Sequence, residues 1–294
     1  MTENKTAVIE NVRDFTADQI FDCGQCFRFI REEDGSWTGT AFDRIINVRT
    51  EEGGRLIIEN SDDEEVEKIW RPYFDLDRDY GAVKKELADN DPVLKDAISC
   101  GSGIRILRQD PWETVLSFII SQNNNIPRIR KCIESVADNF GKPLGSLRGR
   151  AFSSLPGPEV LAELDEEDLA PCRLGYRAKY IIKTARFVAD AGRDRLDALA
   201  SDEISSQQAF EYISSLNGVG PKVANCILLF GLSKYDRFPI DVWMKKVMSD
   251  LYGFDEKDVK GMASFAEKTY GRHCGIAQQY LFYFVREQSL RQSE

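Results

Sequence analysis

Histidine is almost absent from this 294-residue chain, in which His273 is the only one. Ser-His-Asp catalysis, histidine-ligated zinc and histidine nucleases usually need more than one lone imidazole, so none of these classes is favoured. Long apolar runs are missing too, and no segment approaches the roughly 20 apolar residues of a membrane-spanning helix. The N-terminal stretch MTENKTAVIE is polar and lacks the apolar centre of a secretion signal. We therefore expect a protein that is neither secreted nor embedded in a membrane.

Cysteine is present, but in no arrangement that indicates disulfides or a metal site. The seven cysteines are an odd number without framework spacing, which favours reduced thiols in a cytosol. Cys23 and Cys26 form a lone CxxC pair. No second pair or nearby histidine supports zinc there, and no βαβ pattern supports a thioredoxin-like redox site. Neither function is therefore expected of this pair.

An excess of basic residues is also lacking. The chain has 39 Lys and Arg against 49 Asp and Glu, a net charge of −10. This balance argues against indiscriminate binding to phosphate backbones. The acidic residues are concentrated in segments 62–65 and 163–168, which are typical of solvated helix starts. One face of the protein can still be basic, so the charge does not exclude a nucleic acid partner.

Residues 5–60 have the pattern of antiparallel strands, because turn signals separate short β-branched and aromatic segments. Asp34-Gly35 and Gly53-Gly54 are typical of hairpin turns. The predicted strands are Thr6–Val12, Cys26–Arg31, Trp37–Phe42, Ile45–Arg49 and Leu56–Glu59.

From Ser61 to the end, helical periodicity replaces this pattern. The predicted helices are Asp63–Tyr73, Tyr80–Asp89, Trp112–Gln122, Ile126–Phe140, Tyr176–Ala191, Ser206–Leu216, Lys222–Leu232, Val242–Tyr252, Val259–Tyr270 and Ile276–Gln288. We predict an α+β protein: a small antiparallel β-sheet domain, residues 1–110, followed by a mainly α-helical body, residues 111–294, that contains a cleft.

The stretch LNGVGPKVANCILLFGLSKYDRFPID, residues 216–241, has the features of a tight turn that leads into a buried helix. Gly218 and Gly220 permit the positive φ values of such a turn, and Pro221 suits the first helical position. The helix that follows is apolar almost all round, as expected in a core. Backbone amides left bare at its N-terminus are suited to bind a phosphate.

Lys222 and Asp241 look misplaced for stability alone. The helix dipole disfavours an ammonium in a first turn, and burial is expected to lower the pKa of Lys222 and leave an available amine. The helix rises roughly 15 Å, and the next segment can span up to about 30 Å, so Asp241 can return to Lys222. The alternatives are a surface lysine and a simple N-cap aspartate.

This stretch resembles the helix-hairpin-helix glycosylase superfamily of DNA repair enzymes. Lys222 matches the lysine that bifunctional members use as a nucleophile, whereas Asn217 stands where the family usually has proline. Some related glycosylases carry a four-cysteine iron–sulfur cluster after the hairpin. Only Cys274 lies in that region here, so no cluster is expected and no cofactor is required. The resemblance also implies a structural cation held by the backbone carbonyls of Ser214, Leu216 and Val219.

Within that superfamily, the chain from about Ile9 to Val285 resembles the 8-oxoguanine DNA glycosylases with an N-terminal sheet domain. Four further stretches carry the resemblance: FDCGQCFRF, RILRQDPWETVLSFIISQNNNIPRI, LGYRAKYI and CGIAQQYLFYF. It implies an 8-oxoguanine glycosylase-type sheet domain followed by a helix-hairpin-helix catalytic domain.

Gly24 lies in a sharp bend, where a glycine exposes its carbonyl. 8-Oxoguanine carries an N–H where guanine has an imidazole acceptor. A suitably placed carbonyl accepts from the lesion and repels guanine, and the resemblance assigns this role to Gly24. The alternative is an ordinary turn glycine.

Four residues match those that occupy the vacated base position in the family. The resemblance implies that Asn123, Arg128 and Arg177 contact the orphaned cytosine and that Tyr176 is a wedge against the neighbouring stack. A wedge and hydrogen-bond donors are what an extruded base leaves unsatisfied. Otherwise these residues are helix caps and a helix start.

Gln278 and Phe282 are four residues apart and share one helix face. In the family this pair grips the flipped base, the amide at its Watson–Crick edge and the ring against its plane, and Cys226 matches the residue on the opposite side. Without the resemblance they would be core residues. Trp243 departs from animal relatives, which have a phosphate-contacting histidine there.

The sequence therefore predicts a bifunctional glycosylase that excises 8-oxoguanine from duplex DNA, preferably opposite cytosine, through a Schiff base on Lys222, with β-elimination as an AP lyase. The expected state is a monomer on DNA, in the cytoplasm and nucleoid of a prokaryote or the nucleus of a eukaryote. Two alternatives remain: a related glycosylase for another damaged base, such as an alkylated one, and a non-catalytic DNA-binding module. Comparing cleavage of lesion-bearing and plain duplexes separates all three.

Overall fold

The computed structural model describes residues 5–291, with the side chains of residues 290 and 291 excepted. The first residues of the polar N-terminal stretch, 1–4, lie outside the described residues. An antiparallel five-stranded sheet is followed by a mainly helical body, so the predicted α+β class is confirmed. The strands of the sheet are β1 (Thr6–Ile9), β2 (Phe29–Arg31), β3 (Trp37–Ala41), β4 (Arg44–Glu51) and β5 (Arg55–Glu59).

The sheet has the order β1-β5-β4-β3-β2, and every pair of neighbours is antiparallel. Hairpin turns lie at Gly35 and at Gly53-Gly54, as predicted, and these glycines have positive φ values of +81°, +80° and +75°. The predicted first strand was too long, because Asn11 takes a left-handed φ of 59° and ends the extended run.

The helices form the rest of the molecule, and those over Ile126–Phe140, Val242–Tyr252 and Val259–Tyr270 have the predicted bounds. A π-helical turn at Val66–Trp70 joins the second and third helices, and 3₁₀ turns lie at Ala170–Cys172, Ala198–Ala200 and Gly271–His273. The helices are α1 (Ala17–Phe21), α2 (Asp63–Glu65), α3 (Arg71–Tyr73), α4 (Tyr80–Asn90), α5 (Pro92–Cys100), α6 (Pro111–Ser121), α7 (Ile126–Phe140), α8 (Pro158–Ala162), α9 (Arg177–Ala191), α10 (Arg193–Asp197), α11 (Ser206–Ser214), α12 (Pro221–Gly231), α13 (Val242–Tyr252), α14 (Val259–Tyr270) and α15 (Cys274–Arg291).

The prediction that helical structure continues unbroken from Ser61 was wrong. A second antiparallel hairpin, β6 (Pro143–Leu147) and β7 (Arg150–Ser153), interrupts the helices. Its turn, Arg148-Gly149, has positive φ at both residues, 53° and 74°, which is the geometry of a tight two-residue hairpin. The Arg148 guanidinium donates to Glu59 and Asp34, and these charge-assisted bonds attach the hairpin to the sheet.

Two large apolar clusters hold the molecule together. One lies beneath the five-stranded sheet and includes Trp70 and Phe74; the other fills the helical body around α6, α9 and α12. The buried guanidinium of Arg105 donates to the carbonyls of Arg13, Asp14 and Asp75, and so connects the segment before α6 to the sheet region. The domain boundary after residue 110 stays a prediction.

Candidate active site

The turn between α11 and α12 is the hairpin that the sequence predicted. Gly218 has a φ of +78°, and a Cβ there would lie 2.3 Å from the ring of Tyr180, so only glycine fits. Gly220 differs from the prediction: its φ is −87° and it serves as the N-cap of α12 in an extended conformation. One glycine of the pair is therefore required by φ and close packing, and the other is not.

Lys222 lies in the first turn of α12, directly after Pro221, and its side chain is turned into the protein. Its ammonium is 5.7 Å from the ring centroid of Phe118, which stacks on Phe230. An ammonium over an aromatic face is stabilised by the ring quadrupole. Lys222 is thus not the surface lysine of the alternative interpretation.

A cavity of about 50 Å³ collects Lys222 and five other residues predicted for the site. We call it the Lys222 cavity. It is much smaller than the roughly 300–1,000 Å³ of typical ligand pockets, so a base can enter only if side chains move. It is lined by Cys23, Gly24, Phe118, Lys222, Cys226, Phe230, Pro239, Asp241, Gln278, Gln279 and Phe282.

Asp241 is the N-cap of α13, and its Oδ1 accepts the backbone N–H of Met244 at 2.8 Å. No described residue donates to Oδ2. The bond to the cap fixes the carboxylate at the wall of the cavity and leaves one oxygen available. The N-cap interpretation and the functional one are therefore compatible in this residue.

The expected lowering of the Lys222 pKa is wrong for the DNA-free protein. The sulfur of Cys226 and the carboxylate of Asp241 raise the pKa of Lys222 and outweigh burial, which lowers it. Burial raises the pKa of the Cys226 thiol, and the neighbouring Lys222 ammonium lowers it. The resting site thus contains an ammonium in the same cavity as the Asp241 carboxylate, and Lys222 must lose a proton before it can act as a nucleophile.

Gly24 lies in the bend between α1 and β2 with a φ of +79°. A Cβ there would lie 3.6 Å from Phe282, an ordinary contact, so the backbone conformation and not space requires glycine. The Gly24 carbonyl accepts no hydrogen bond from any residue in the range 5–291.

Gln278 and Phe282 lie on one face of α15, as predicted, and both line the Lys222 cavity. Gln278 is 5% exposed, and its Oε1 is buried without a hydrogen-bond partner in the described part of the chain. A buried unpaired amide oxygen costs free energy until a ligand supplies a donor. Gln278 is therefore suited to bind a polar molecule in this cavity.

The other four predicted residues lie outside the Lys222 cavity and form a second group, which we call the Asn123 surface: Asn123, Arg128, Tyr176 and Arg177. Asn123 and Arg128 are exposed, and Tyr176 is 52% exposed. Asn123 has a left-handed φ of 46° in the loop between α6 and α7. The Arg128 guanidinium makes one long hydrogen bond, 3.4 Å, to the Arg173 carbonyl.

Arg177 differs from its neighbours because it is only 3% exposed. Its guanidinium donates to the carbonyls of Gln122 and Asn123, to the latter at 2.9 Å, and lies 4.6 Å from the Tyr176 ring centroid. In the DNA-free protein this arginine therefore holds the Asn123 loop and is not free to bind a base.

Sequence reasoning missed Phe118, Phe230 and Gln279 in the wall of the Lys222 cavity. The two aromatic rings lie on α6 and α12 in patterns that are equally typical of core residues. Gln279 is 2% exposed and follows Gln278 directly. A buried glutamine on a helix needs a partner, and this was the one signal that could have identified it.

Trp243 is 48% exposed, two residues after Asp241, and neighbouring Val242 is 80% exposed. Exposed apolar side chains of this size often mark a binding surface. The indole can offer one N–H donor where animal relatives have an imidazole.

No cluster of three or more His, Cys, Asp or Glu side chains that could hold a metal ion occurs in residues 5–291. Over the same range, no helix combines the length and apolar character needed to cross a membrane. The carbonyl of Leu216 accepts the N–H of Val219 at 3.2 Å. Those of Ser214 and Val219 accept no backbone bond from the described residues, so they have lone pairs available for water or a cation.

Two adjoining parts of the chain match models of known protein families. Residues 7–115 match the family model "8-oxoguanine DNA glycosylase, N-terminal domain", and residues 116–270 match "HhH-GPD superfamily base excision DNA repair protein". The chain belongs to the HhH-GPD superfamily of base excision DNA repair proteins. Within it, the N-terminal domain and the similar structures below place the chain in the group of 8-oxoguanine DNA glycosylase/lyases, as the sequence predicted.

Similar proteins agree with this assignment. The "probable N-glycosylase/DNA lyase" of Methanothermobacter thermautotrophicus is 31% identical over 247 residues, which cover 77% of this chain and 76% of the relative. A structure of the 8-oxoguanine glycosylase/lyase of Clostridium acetobutylicum, with duplex DNA containing cytosine opposite 8-oxoguanine, is 41% identical, has a TM-score of 0.91 and covers 98% of both chains. The structure of MBOgg1 with a low affinity DNA ligand is 45% identical, with a TM-score of 0.92 and 98% of both chains covered.

Proposed function

We propose that this protein excises 8-oxoguanine from duplex DNA and then cleaves the strand at the abasic site. The observation that supports this most is the Lys222 cavity. It places an amine, a carboxylate, an unpaired amide and an aromatic ring together, although they come from chain segments that are far apart: Lys222, Asp241, Gln278 and Phe282. These are the groups needed to bind a flipped base and attack its sugar.

Binding of the base begins with extrusion from the duplex, because the target atom is inaccessible inside the stack. Side chains of the cavity wall move to admit the flipped base, because the cavity is smaller than a typical ligand pocket. The Gln278 amide then pairs with its Watson–Crick edge, Phe282 stacks on one face, and Cys226 lies against the other. Gly24 accepts the N–H that distinguishes the lesion from guanine.

The chemistry uses Lys222 as the nucleophile and Asp241 as the electrostatic partner. As the bond between base and sugar breaks, its electron pair leaves with the base, and the Asp241 carboxylate stabilises the positive charge on the sugar. Neutral Lys222 forms a bond to the anomeric carbon, and opening of the sugar gives an imine. β-Elimination then expels the 3′ phosphate and cuts the strand.

Deprotonation of Lys222 is a required step, since the ammonium is the resting form. The base, which leaves with the electron pair of the broken bond, accepts this proton. Entry of the base excludes water from the cavity, and desolvation favours the neutral form of an amine. The Asp241 carboxylate opposes this by holding the proton on Lys222. The same carboxylate therefore delays the nucleophile and stabilises the transition state.

On the DNA, the Asn123 surface is expected to fill the vacated position and to favour cytosine as the opposite base. Arg128 and Arg177 offer donors that match the acceptors of cytosine. We also propose that the protein acts as a monomer, and that the free carbonyls of Ser214 and Val219, with that of Leu216, hold a structural cation beside a phosphate.

The test is a comparison of duplexes with 8-oxoguanine opposite cytosine, with an alkylated purine, and without damage. We expect base release and strand cleavage only from the first, and a covalent protein–DNA adduct when borohydride is added. Cleavage of the alkylated duplex instead would indicate a related glycosylase of other specificity. Binding to all three without cleavage would indicate a non-catalytic DNA-binding module.

A further inference from the structure

The bend around Gly24 is surrounded by side chains that donate to its backbone. Carbonyls on both sides of Gly24 accept hydrogen bonds: that of Asp22 from Arg286, that of Cys23 from Gln279 at 2.7 Å, and that of Gln25 from Gln109 at 2.7 Å. Among the described residues none donates to the Gly24 carbonyl itself. One carbonyl in the run is thus left uncommitted, and Gly24 lines the Lys222 cavity together with Cys23.

Two of these three donors lie on α15, the helix that also carries Gln278 and Phe282. Gln279 and Arg286 are seven residues apart, so they share one face of the helix. Gln279 also lies in the wall of the Lys222 cavity. Gln279 is 2% exposed, and its Nε2 donates to the Cys23 carbonyl. A buried donor with one partner loses that bond only at a substantial cost.

We propose that Gln279, assisted by Arg286, positions the Gly24 carbonyl for discrimination between 8-oxoguanine and guanine. This inference rests on the proposed function. The hydrogen bonds attach the residues before Gly24 to the same rigid helix that holds the Gln278 amide. The distance between the two groups that contact opposite edges of the base is therefore fixed by α15, although Gly24 and Gln278 are far apart in sequence.

The consequence is a separation of two properties of the enzyme. Among the described residues no hydrogen bond joins Gln279 to Lys222, so the loss of Gln279 leaves the nucleophile intact. The Gly24 carbonyl, no longer restrained by its neighbour, accepts less well from the lesion and repels guanine less. One neutral hydrogen bond contributes enough to change a binding ratio roughly three- to tenfold.

The experiment replaces Gln279 by methionine, which keeps the length of the side chain and removes the donor. In a Lys222→Gln background, which abolishes the chemistry, Kd is measured for duplexes with 8-oxoguanine or guanine opposite cytosine. We expect the ratio of the guanine Kd to the 8-oxoguanine Kd to fall roughly three- to tenfold. With Lys222 present, Gln279→Met should excise 8-oxoguanine more slowly and cleave a preformed abasic site at nearly the wild-type rate.

Gln19→Met is the matched control. Gln19 also bonds backbone groups of other segments, the Cys100 carbonyl at 3.1 Å and the Gly103 N–H at 2.7 Å, but it does not touch the bend. Its loss should leave the Kd ratio unchanged. An unchanged ratio in Gln279→Met overturns the proposal, as does an equal loss of lesion binding and abasic-site cleavage, which would indicate a purely structural role.

If Gln279→Met does not fold, Arg286→Met tests the positioning of the Gly24 carbonyl instead. Arg286 is nearer the end of α15, and its loss should shift the ratio in the same direction by a smaller factor; no shift overturns the proposal. The proposed function is tested separately, by the wild-type protein. If the wild type fails to excise 8-oxoguanine, the proposed function is wrong. If the wild type excises it and Gln279→Met discriminates equally well, only the role of Gln279 is wrong.

Discussion

The Lys222 cavity and the Asn123 surface differ in how their polar groups are used before DNA binds. In the cavity, the Gln278 Oε1 and the Gly24 carbonyl have no partner among the described residues. On the surface, Arg177 already donates to the carbonyls of Gln122 and Asn123. The cavity holds polar groups without partners, whereas the surface is open and Arg177 there already binds protein carbonyls.

This difference predicts where the free energy of recognition comes from. A partner supplied to an unpaired buried group removes an existing penalty, so the full value of the new bond is gained. Arg177 must exchange protein carbonyls for a base, so only the difference between two sets of bonds is gained. Removing a group that contacts the base or its sugar in the cavity should therefore have a larger effect than a change on the surface.

The largest effect is expected from Lys222→Gln. The amide keeps nearly the size of the side chain and loses the nucleophile, so the variant should bind lesion DNA and form no borohydride-trapped adduct. Peptide mapping of the wild-type adduct should identify Lys222. An adduct on another lysine, or one that persists in Lys222→Gln, would show that the cavity is not the site of covalent chemistry.

Asp241→Asn should fold and bind but release the base more slowly, by a factor of about 10² or more, the scale of a lost electrostatic stabiliser. The Asn side chain can still cap α13. The Asp241 carboxylate raises the pKa of Lys222, and the neutral amine becomes more abundant as pH rises toward that pKa. Its removal lowers the pKa, so the rising limb of abasic-site cleavage against pH should move to lower pH. A limb that does not move would contradict the assigned electrostatic pairing.

Opposite-base preference tests the Asn123 surface. The lesion opposite cytosine should be processed fastest, and Arg128→Met should remove about 1–3 kcal/mol of discrimination, the value of one well-made base contact. Single-turnover rates opposite each of the four bases measure this. Equal rates opposite all four bases in the wild type would remove the role assigned to both arginines.

Gly24→Ala should give the smallest of these effects. It tests whether lesion recognition and strand cleavage can be separated within the cavity. A non-glycine residue at a left-handed φ costs roughly 1–2 kcal/mol, so the bend shifts and lesion excision slows. Cleavage of preformed abasic sites, which needs only Lys222 and DNA binding, should suffer less. A parallel loss of both activities would point to misfolding, which thermal unfolding would reveal.

Much of the fold was predictable because local signals were strong. The predicted bounds of α7, α13 and α14 are those of the structure, since Asn125, Asp241 and Asp258 are N-cap residues at their starts. The hairpin β6–β7 was missed because its residues carry little β-branched character. Its contacts with the sheet, through Arg148 and through apolar packing of Leu147 and Phe152 on Ile45, stabilise it.

The sequence by itself determined the family and the chemical groups, because the motif around Lys222 and Asp241 is a local pattern of turn, cap and misplaced charge. Only the tertiary structure decided the ionisation of Lys222 and the commitment of Arg177. The pKa of an amine depends on the balance between burial and nearby charge. The fold brings Cys226 and Asp241 close to Lys222, and together they raise its pKa by more than burial lowers it. The hydrogen bonds of Arg177 and Gln279 likewise depend on carbonyls distant in sequence, which no local pattern encodes.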